Sequence, residues 1–127
     1  MREGGGLLGV GVDLCAVSRM ERALARLGFV SRVFTEQERA YLEGKGRSRA
    51  QSAAAMFAAK EAVAKALGTG FRGFTTRDIS VEPDALGRPA VRLSGGALER
   101  LHTLGAQSVM ISITHTGGFA AAVAVIE

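Results

Sequence analysis

Apolar positions in the first part of the chain predict a strand followed by a helix. The apolar run from Leu7 to Leu14 is typical of a buried strand, and it carries one acid, Asp13, near its carboxyl end. A capping box of Ser18 and Glu21 opens the predicted helix, and Gly28 ends it. The apolar residues at helical spacing in this segment are Val17, Met20, Leu24 and Leu27.

Two further capping boxes predict helices in the middle of the chain. Thr35 and Glu38 open a short helix, and Ser48 and Gln51 open a longer one that continues to Leu67. The longer segment is rich in alanine and contains neither glycine nor proline. We therefore expect a helix of about five turns, the longest element of the fold.

Strand patterns dominate the last third of the chain. Residues 79–82 alternate in polarity, residues 90–93 follow after a turn, and a helix is expected from Ser94. Two more strands, 108–114 and 119–126, flank a hairpin turn. Short connections between the late strands favour antiparallel pairing, which predicts the α+β class.

The length of the chain and its last strand bear on assembly. A chain of 127 residues has the size of one ordinary domain, so we expect a single domain over residues 1–127. The last strand consists almost wholly of alanine and valine, so both of its faces are apolar and need cover. In so small a chain a neighbouring subunit is a natural cover, which favours an oligomer.

Composition excludes several classes of protein. Hydrophobic residues make up 47% of the chain and charged residues 22%, which is globular rather than disordered usage. No apolar run approaches the roughly 20 residues of a membrane helix and the first residues lack a secretory pattern, so we expect a cytoplasmic protein. The single cysteine, Cys15, forms neither an internal disulfide nor a thiolate zinc site, and we expect a small buried apolar residue there.

Arginine supplies most of the positive charge. Sixteen basic and twelve acidic side chains give a net charge of +4, and thirteen of the sixteen are arginine, whose planar fork suits phosphates and carboxylates. With no tryptophan, one tyrosine and scattered arginines, we do not expect nucleic acid as a partner. Arg19, Arg22 and Arg26 form one stripe on the first helix, which is either a solvated face or a docking surface for an acidic helix.

Three ionisable residues carry the strongest chemical signal. Glu61 and Lys65 lie four residues apart in the alanine-rich helix, as either an exposed ion pair or charges in a packed setting. Asp13 either caps the following helix or faces Glu61. Two facing carboxylates are unfavourable unless a cation lies between them, and Mg²⁺ prefers such oxygen ligands. Lys65 then lies one turn along the helix, where it can hold a phosphate.

Glycine-rich and turn segments give weaker signals. Gly68, Thr69 and Gly70 follow the long helix, either as an ordinary helix end or as a place where a ligand approaches the backbone. His115 lies in the hairpin turn, where a histidine is usually just exposed. Neither segment identifies a ligand by itself.

Four blocks of residues together carry a family resemblance. The blocks are Gly11-Val12-Asp13 with Arg19; Phe57-Ala58-Ala59-Lys60-Glu61-Ala62 with Lys65 and Gly68-Thr69-Gly70; Gly87-Arg88-Pro89; and Ser112-Ile113-Thr114-His115-Thr116 with Ala120-Ala121-Ala122. In this order and spacing they resemble the bacterial holo-(acyl-carrier-protein) synthases, and the match covers nearly the whole chain. The implied fold is the 4′-phosphopantetheinyl transferase fold, an antiparallel sheet packed against a long helix, assembled as a homotrimer with active sites between subunits.

The resemblance also implies an activity used in fatty acid biosynthesis. The 4′-phosphopantetheine arm of coenzyme A is transferred to the serine of an apo acyl carrier protein, and 3′,5′-ADP is released. By motif position, Asp13 and Glu61 are expected to bind Mg²⁺, and Lys65 is expected to contact phosphate as a catalytic residue. The expected coenzyme A contacts are Lys65, Gly68, Thr69, Gly70, Gly87, Arg88, Pro89, His115 and Thr116.

Acyl carrier proteins are acidic, so the resemblance turns the stripe of Arg19, Arg22 and Arg26 into an expected docking surface for the carrier. For the serine proton we expect Glu61 to be the acceptor, directly or through a bound water. The chain departs from the family pattern at Met56, where many members have arginine, and at Phe119, where tyrosine often stands. The alternative function is a non-catalytic trimeric module that binds acidic helices or nucleotides.

Overall fold

Five helices and five strands make up the computed structural model, which describes residues 6–127. In chain order they are β1 (Gly9–Ala16), α1 (Val17–Leu24), α2 (Phe29–Val33), α3 (Glu36–Glu43), α4 (Arg49–Ala66), β2 (Ile79–Pro83), β3 (Pro89–Leu93), α5 (Gly95–Thr103), β4 (Val109–Thr116) and β5 (Phe119–Ile126). Single 3₁₀ turns precede α4 and β2. All strand pairs are antiparallel, and the predicted α+β class is confirmed.

The main sheet has the order β1-β5-β4, so the last strand lies in the middle. Its inner face packs against α4, and Ala120, Ala122, Ala124 and Ile126 of β5 are buried there. The register pairs Asp13 of β1 with Ala122, which places the Asp13 side chain on this inner face. The strand begins two residues later than the sequence predicted and extends two residues further, to Ala16.

Two glycines bring β1 into backbone contact with α4. A Cβ atom on Gly9 would lie 1.9 Å from the carbonyl oxygen of Ala66, and one on Gly11 would lie 2.0 Å from that of Ala62. No side chain fits at either position without moving the strand or the helix. The distance between β1 and α4 is therefore set by their main chains.

The hairpin of β2 and β3 forms a second, smaller sheet beside α3 and α4. Helix α3 begins as predicted, because the Thr35 hydroxyl accepts from the Glu38 amide while the Glu38 carboxylate accepts from the Thr35 amide. The second oxygen of Glu38 accepts from the amide of Val81, 2.7 Å away. The capping residue of α3 therefore also fixes the position of β2.

The predicted first helix is wrong in its start and in its end. The helix begins at Val17, so Ala16 and not Ser18 occupies the N-cap position, and no side chain caps the helix. The amide of Val17 donates to the carbonyl of Gly118. The helix ends at Leu24, and Leu27, predicted on its apolar side, is fully exposed. The left-handed backbone of Gly28 redirects the chain into α2, an element that the sequence did not predict.

The predicted capping box at the start of α4 is also wrong. The Ser48 hydroxyl donates to the carbonyl of Lys45, 2.9 Å away, so it does not cap the helix. The side-chain nitrogen Nε2 of Gln51 lies 2.9 Å from Nδ1 of His115 on β4. The preceding 3₁₀ turn takes the place of a side-chain cap.

The outer face of the main sheet is apolar and exposed. Val10, Val12 and Leu14 of β1 lie beside Val123 and Phe119 of β5, and Met110 of β4 continues the surface. The expectation that the last strand needs a cover on both faces therefore meets one buried face and one open face.

Within the described residues no helix is long and apolar enough to cross a bilayer. The expected cytoplasmic location stays a prediction.

Candidate active site

The carboxyl end of β1 and the middle of α4 bring Asp13 and Glu61 to one cleft. The cleft has a volume of about 360 Å³ and is also lined by Arg19, Arg26 and Phe57. The glycine contacts at Gly9 and Gly11 hold the strand and the helix together just before this point. Both acids therefore line one cleft within the fold of a single chain.

Glu61 lies in a setting that disfavours its charge. Partial burial raises the pKa of the Glu61 carboxyl above its usual range, and the negative charge of Asp13 raises it further. The positive charges of Lys65 and Arg19 act in the opposite direction and do not outweigh these two effects. The cleft therefore disfavours the charged form of Glu61 through burial first and through the neighbouring carboxylate second.

Lys65 reaches across to β1 instead of forming an ion pair along its own helix. Its ammonium lies 3.0 Å from Oδ1 of Asp13 and donates to the carbonyl of Val12 at 3.0 Å. The Lys65 side chain is 52% exposed, whereas that of Asp13 is 19% exposed. The plain exposed pair of Glu61 and Lys65 is therefore the wrong alternative, and the ammonium remains open to a ligand.

Asp13 does not serve as a helix cap. The N-cap residue of α1 is Ala16, and no side-chain oxygen bonds to the first amides of that helix. The Asp13 carboxylate lines the cleft and binds Lys65 there. Of its two predicted alternatives, the structure favours the acid that faces Glu61.

The three arginines of the predicted docking stripe are all exposed, but they differ in position. Arg19 and Arg26 line the cleft of Asp13 and Glu61, and Arg26 also stacks 5.4 Å from the ring centre of Phe29. Arg22 is not among the residues that line this cleft in the described part of the chain. The two ends of the stripe therefore line the cleft, whereas Arg22 between them does not, and Arg26 lies beyond the end of α1 at Leu24.

Cys15 also lines the cleft and is 7% exposed, as its apolar role predicts. Burial raises the pKa of its thiol above the usual range, so the neutral form is favoured.

The glycine-rich segment after α4 ends the helix. Gly68 and Gly70 have positive φ angles, and their amides donate to the carbonyls of Lys65 and Ala64. The Thr69 hydroxyl donates to the carbonyl of Gly70. The ordinary helix-end interpretation therefore holds for these residues in the isolated chain, and they lie directly beyond Lys65.

The other residues expected to contact coenzyme A lie elsewhere in the isolated chain. Gly87 and Pro89 line a separate cavity of about 150 Å³ together with Met56. Arg88 is held 3.1 Å from Oδ2 of Asp84 in the β2–β3 turn. The remaining two, His115 and Thr116, lie at the end of β4, where His115 meets Gln51. In residues 6–127, none of this second group lines the cleft of Asp13 and Glu61.

Sequence reasoning missed the role of Lys60, although the motif contains it. Lys60 and Glu38 are both fully buried, and their charged atoms lie 2.7 Å apart. The ammonium also donates to the carbonyls of Thr76 and Ile79. A lone lysine among buried alanines was the available signal, but its partner on a distant helix was not readable from spacing.

Comparison with known proteins gives a consistent assignment. A family model described as the 4′-phosphopantetheinyl transferase superfamily matches residues 9–124. A holo-(acyl-carrier-protein) synthase from Clostridium tetani is 44% identical over 122 residues, which cover 95% of this chain and 96% of that protein.

Solved structures extend the likeness to the fold. The holo-(acyl-carrier-protein) synthase of Neisseria meningitidis superposes with a TM-score of 0.87 at 32% identity, covering 96% of this chain and 99% of that one. The corresponding protein of Helicobacter pylori, solved in complex with coenzyme A, gives a TM-score of 0.80 at 30% identity over 93% of this chain and 99% of that one. The chain therefore belongs to the 4′-phosphopantetheinyl transferase superfamily, as an enzyme of the holo-(acyl-carrier-protein) synthase type.

Proposed function

We propose that the enzyme transfers 4′-phosphopantetheine from coenzyme A to the serine of an apo acyl carrier protein. The serine oxygen attacks the β-phosphorus of coenzyme A, a new P–O bond forms, and the bond from that phosphorus to the bridging oxygen breaks. The leaving group is 3′,5′-ADP. The observation that carries the proposal is the convergence of Asp13, Glu61 and the open ammonium of Lys65 on one cleft.

Mg²⁺ fits the donor set of this cleft. Two carboxylates line one cleft, and burial together with the negative charge of Asp13 raises the pKa of Glu61. Over residues 6–127 no group of three or more histidine, cysteine or acidic side chains is gathered. Asp13 and Glu61 would therefore hold the ion, and water and substrate phosphate would complete its oxygen ligands. When bound, Mg²⁺ supplies positive charge that stabilises the phosphoryl groups in the transition state.

Lys65 and Glu61 have complementary roles in this proposal. The exposed ammonium of Lys65 binds the coenzyme phosphates and neutralises charge that develops on the bridging oxygen. The Glu61 carboxylate takes the serine proton, directly or through a water. Both side chains stand on α4, one turn apart, which keeps their spacing constant.

A homotrimer of a single domain spanning residues 1–127 is part of the same proposal, with residues 1–5 outside the described part. The outer sheet face of Val10, Val12, Leu14 and Val123 provides the apolar surface that a second copy covers. Gly87, Arg88, Pro89, His115 and Thr116 lie away from Asp13 within one chain. A neighbouring subunit that supplies them to the cleft completes the coenzyme A site.

The decisive test is the mass of the carrier protein. An apo acyl carrier protein incubated with this enzyme, coenzyme A and Mg²⁺ is expected to gain one phosphopantetheine group, with 3′,5′-ADP as the second product. Asp13→Ala and Glu61→Ala variants are expected to fold and to leave the carrier unmodified. An unmodified carrier with the natural enzyme, despite measurable binding of carrier and coenzyme, would instead support the non-catalytic binding module.

Docking of the carrier by the arginine stripe has its own test. Arg19→Glu is expected to raise the KM for the carrier about tenfold or more, because it places a negative charge against an acidic helix, while the KM for coenzyme A stays the same. Added salt is expected to raise the natural enzyme's KM for the carrier. Arg39→Glu on α3 makes the same change of charge on another element and serves as the control. An unchanged KM for the carrier in Arg19→Glu would exclude this docking surface.

A further inference from the structure

Helix α4 has few features of shape that fix its rotation about its own axis. Seven of its buried residues are alanines, namely Ala53, Ala54, Ala58, Ala59, Ala62, Ala64 and Ala66. The orientation of a packed helix is normally fixed by large side chains that enter the grooves of its neighbours. A surface of methyl groups offers only shallow grooves. Met56 and Val63 are the larger apolar side chains buried on α4, and the contacts with Gly9 and Gly11 set how close it lies to β1. Contacts with defined directions on another side of the helix would fix its rotation more tightly.

The Glu38–Lys60 pair provides such contacts. The Lys60 ammonium uses all three of its donors, on Oε1 of Glu38 at 2.7 Å, on the carbonyl of Thr76 at 2.8 Å and on the carbonyl of Ile79. Glu38 is held in turn by the amides of Thr35 and Val81, at 2.8 Å and 2.7 Å. The pair therefore ties α4 to α3 and β2 through charged hydrogen bonds with defined directions.

Lys60 and Glu61 are neighbours, so the rotation that places one also places the other. They point about 100° apart around the helix, Lys60 into the core and Glu61 into the cleft. At a side-chain radius of about 5–6 Å, a rotation of about 10° moves the Glu61 carboxylate by roughly 1 Å. A displacement of that size changes whether two carboxylates share one ion and is costly to catalysis.

We propose that the Glu38–Lys60 pair is a positioning device, which fixes the rotation of α4 and thereby directs the Glu61 carboxylate toward Asp13. This inference rests on the metal-binding role of Glu61 and Asp13 given under the proposed function. Both charged side chains of the pair are fully buried, so their burial costs desolvation energy. Buried pairs of this kind are often no better for stability than apolar residues of the same volume, which favours a role in specifying geometry.

The test shortens the pair without removing either charge. Glu38→Asp withdraws the carboxylate by about 1.5 Å, so α4 must turn to keep the ion pair or lose it. Ile79→Val is the matched control, because it deletes one methylene from the same buried region and leaves both charged side chains in place. Glu38→Gln, which removes the charge and keeps the length, gives the measurement a second variant if Glu38→Asp does not fold.

Two measurements are made on folded protein. The first is the Kd for Mg²⁺, by calorimetry without coenzyme A, and the second is the pair of constants kcat and KM for the carrier. Glu38→Asp is expected to bind Mg²⁺ about 10-fold to 100-fold more weakly and to lose kcat by a similar factor, while KM for the carrier is unchanged. Ile79→Val is expected to match the natural enzyme. Equal Mg²⁺ affinity and kcat in Glu38→Asp and Ile79→Val would overturn the positioning role. Failure of the natural enzyme itself to bind Mg²⁺ would contradict the proposed function instead.

Discussion

The two lysines of α4 that form ion pairs, Lys60 and Lys65, stand five residues apart in opposite surroundings. Lys60 and its partner Glu38 are fully buried, and each charged atom of the pair has protein partners. Lys65 and its partner Asp13 lie in an open cleft, with the Lys65 side chain half exposed. The same helix therefore carries one closed pair and one open pair.

The difference lies in what each pair leaves open. In the closed pair one carboxylate meets one ammonium, and backbone groups satisfy what remains. In the open pair Glu61 adds a second carboxylate, whose pKa is raised first by burial and then by the charge of Asp13. The protein saturates the closed pair, whereas the open cleft keeps two carboxylates and an exposed lysine side chain that the proposed function uses for a cation and a phosphate.

The largest expected effect separates the two pairs by stability. Lys60→Met leaves Glu38 charged and unpaired in the core, so the free energy of unfolding is expected to fall by roughly 3–5 kcal/mol. Lys65→Met is the matched control on the same helix and is expected to cost less than about 1 kcal/mol. Urea denaturation of both variants gives the comparison. Equal losses of unfolding free energy in the two variants would show that the buried pair and the exposed pair contribute equally to stability.

A second substitution disturbs the open pair without touching the closed one. The Cβ atom in Gly11→Ala has to displace the Ala62 carbonyl, so we expect a loss of roughly 1–3 kcal/mol and a larger separation of Asp13 from Glu61. Transfer activity is expected to fall even where the variant is folded. Gly44→Ala is the control. Gly44 has a negative φ angle and an added Cβ would make an ordinary contact at 3.7 Å, so we expect no loss of stability or activity. Full activity in Gly11→Ala would show that the cleft tolerates this separation.

The smallest effect is a change in pH dependence. Since the folded-state pKa of Glu61 is raised, folded protein binds more protons than unfolded protein just above the unfolded value. Without divalent cations, stability therefore falls as pH rises through this window, and Glu61→Gln is expected to remove that fall. Unfolding free energies at about pH 5 and about pH 8 in a chelator measure it.

Glu99→Gln on the exposed side of α5 is the control for the pH experiment. Added Mg²⁺ is expected to raise the Tm of the natural enzyme and of this control, and to leave the Tm of Glu61→Gln unchanged. Parallel pH curves for the two variants would contradict the electrostatic account of the cleft.

Local patterns predicted the parts of this fold that depend on neighbouring residues. The box of Thr35 and Glu38, the strands of the two hairpins and the apolar character of Cys15 followed from sequence alone. The predicted box at Ser18 failed because α1 begins one residue earlier, where the Val17 amide donates to the carbonyl of the distant Gly118. The box at Ser48 failed because its hydroxyl donates to the nearby Lys45 carbonyl. Sequence spacing carries no information about a distant partner such as Gly118, and it does not decide between two local partners.

The acids of the candidate site were predictable from the sequence, whereas the ion pairs that hold α4 in place were not. Asp13, Glu61 and Lys65 were recognisable because charges are rare in apolar segments. The exact partner of Lys65 and the bond from Lys60 to Glu38 depend on how α4 is rotated against β1 and α3. That rotation is a tertiary property, so spacing along one helix leaves it open.

The open outer face of the main sheet would link the behaviour of the enzyme to dilution under the proposed homotrimer. Val12 and Val123, paired across β1 and β5, lie near its middle and are exposed in the single chain. Where a second copy covers them, association would add to folding stability by mass action, and melting temperature and specific activity would both rise with protein concentration. Rates measured at nanomolar enzyme and at micromolar enzyme would then describe different populations of the same chain.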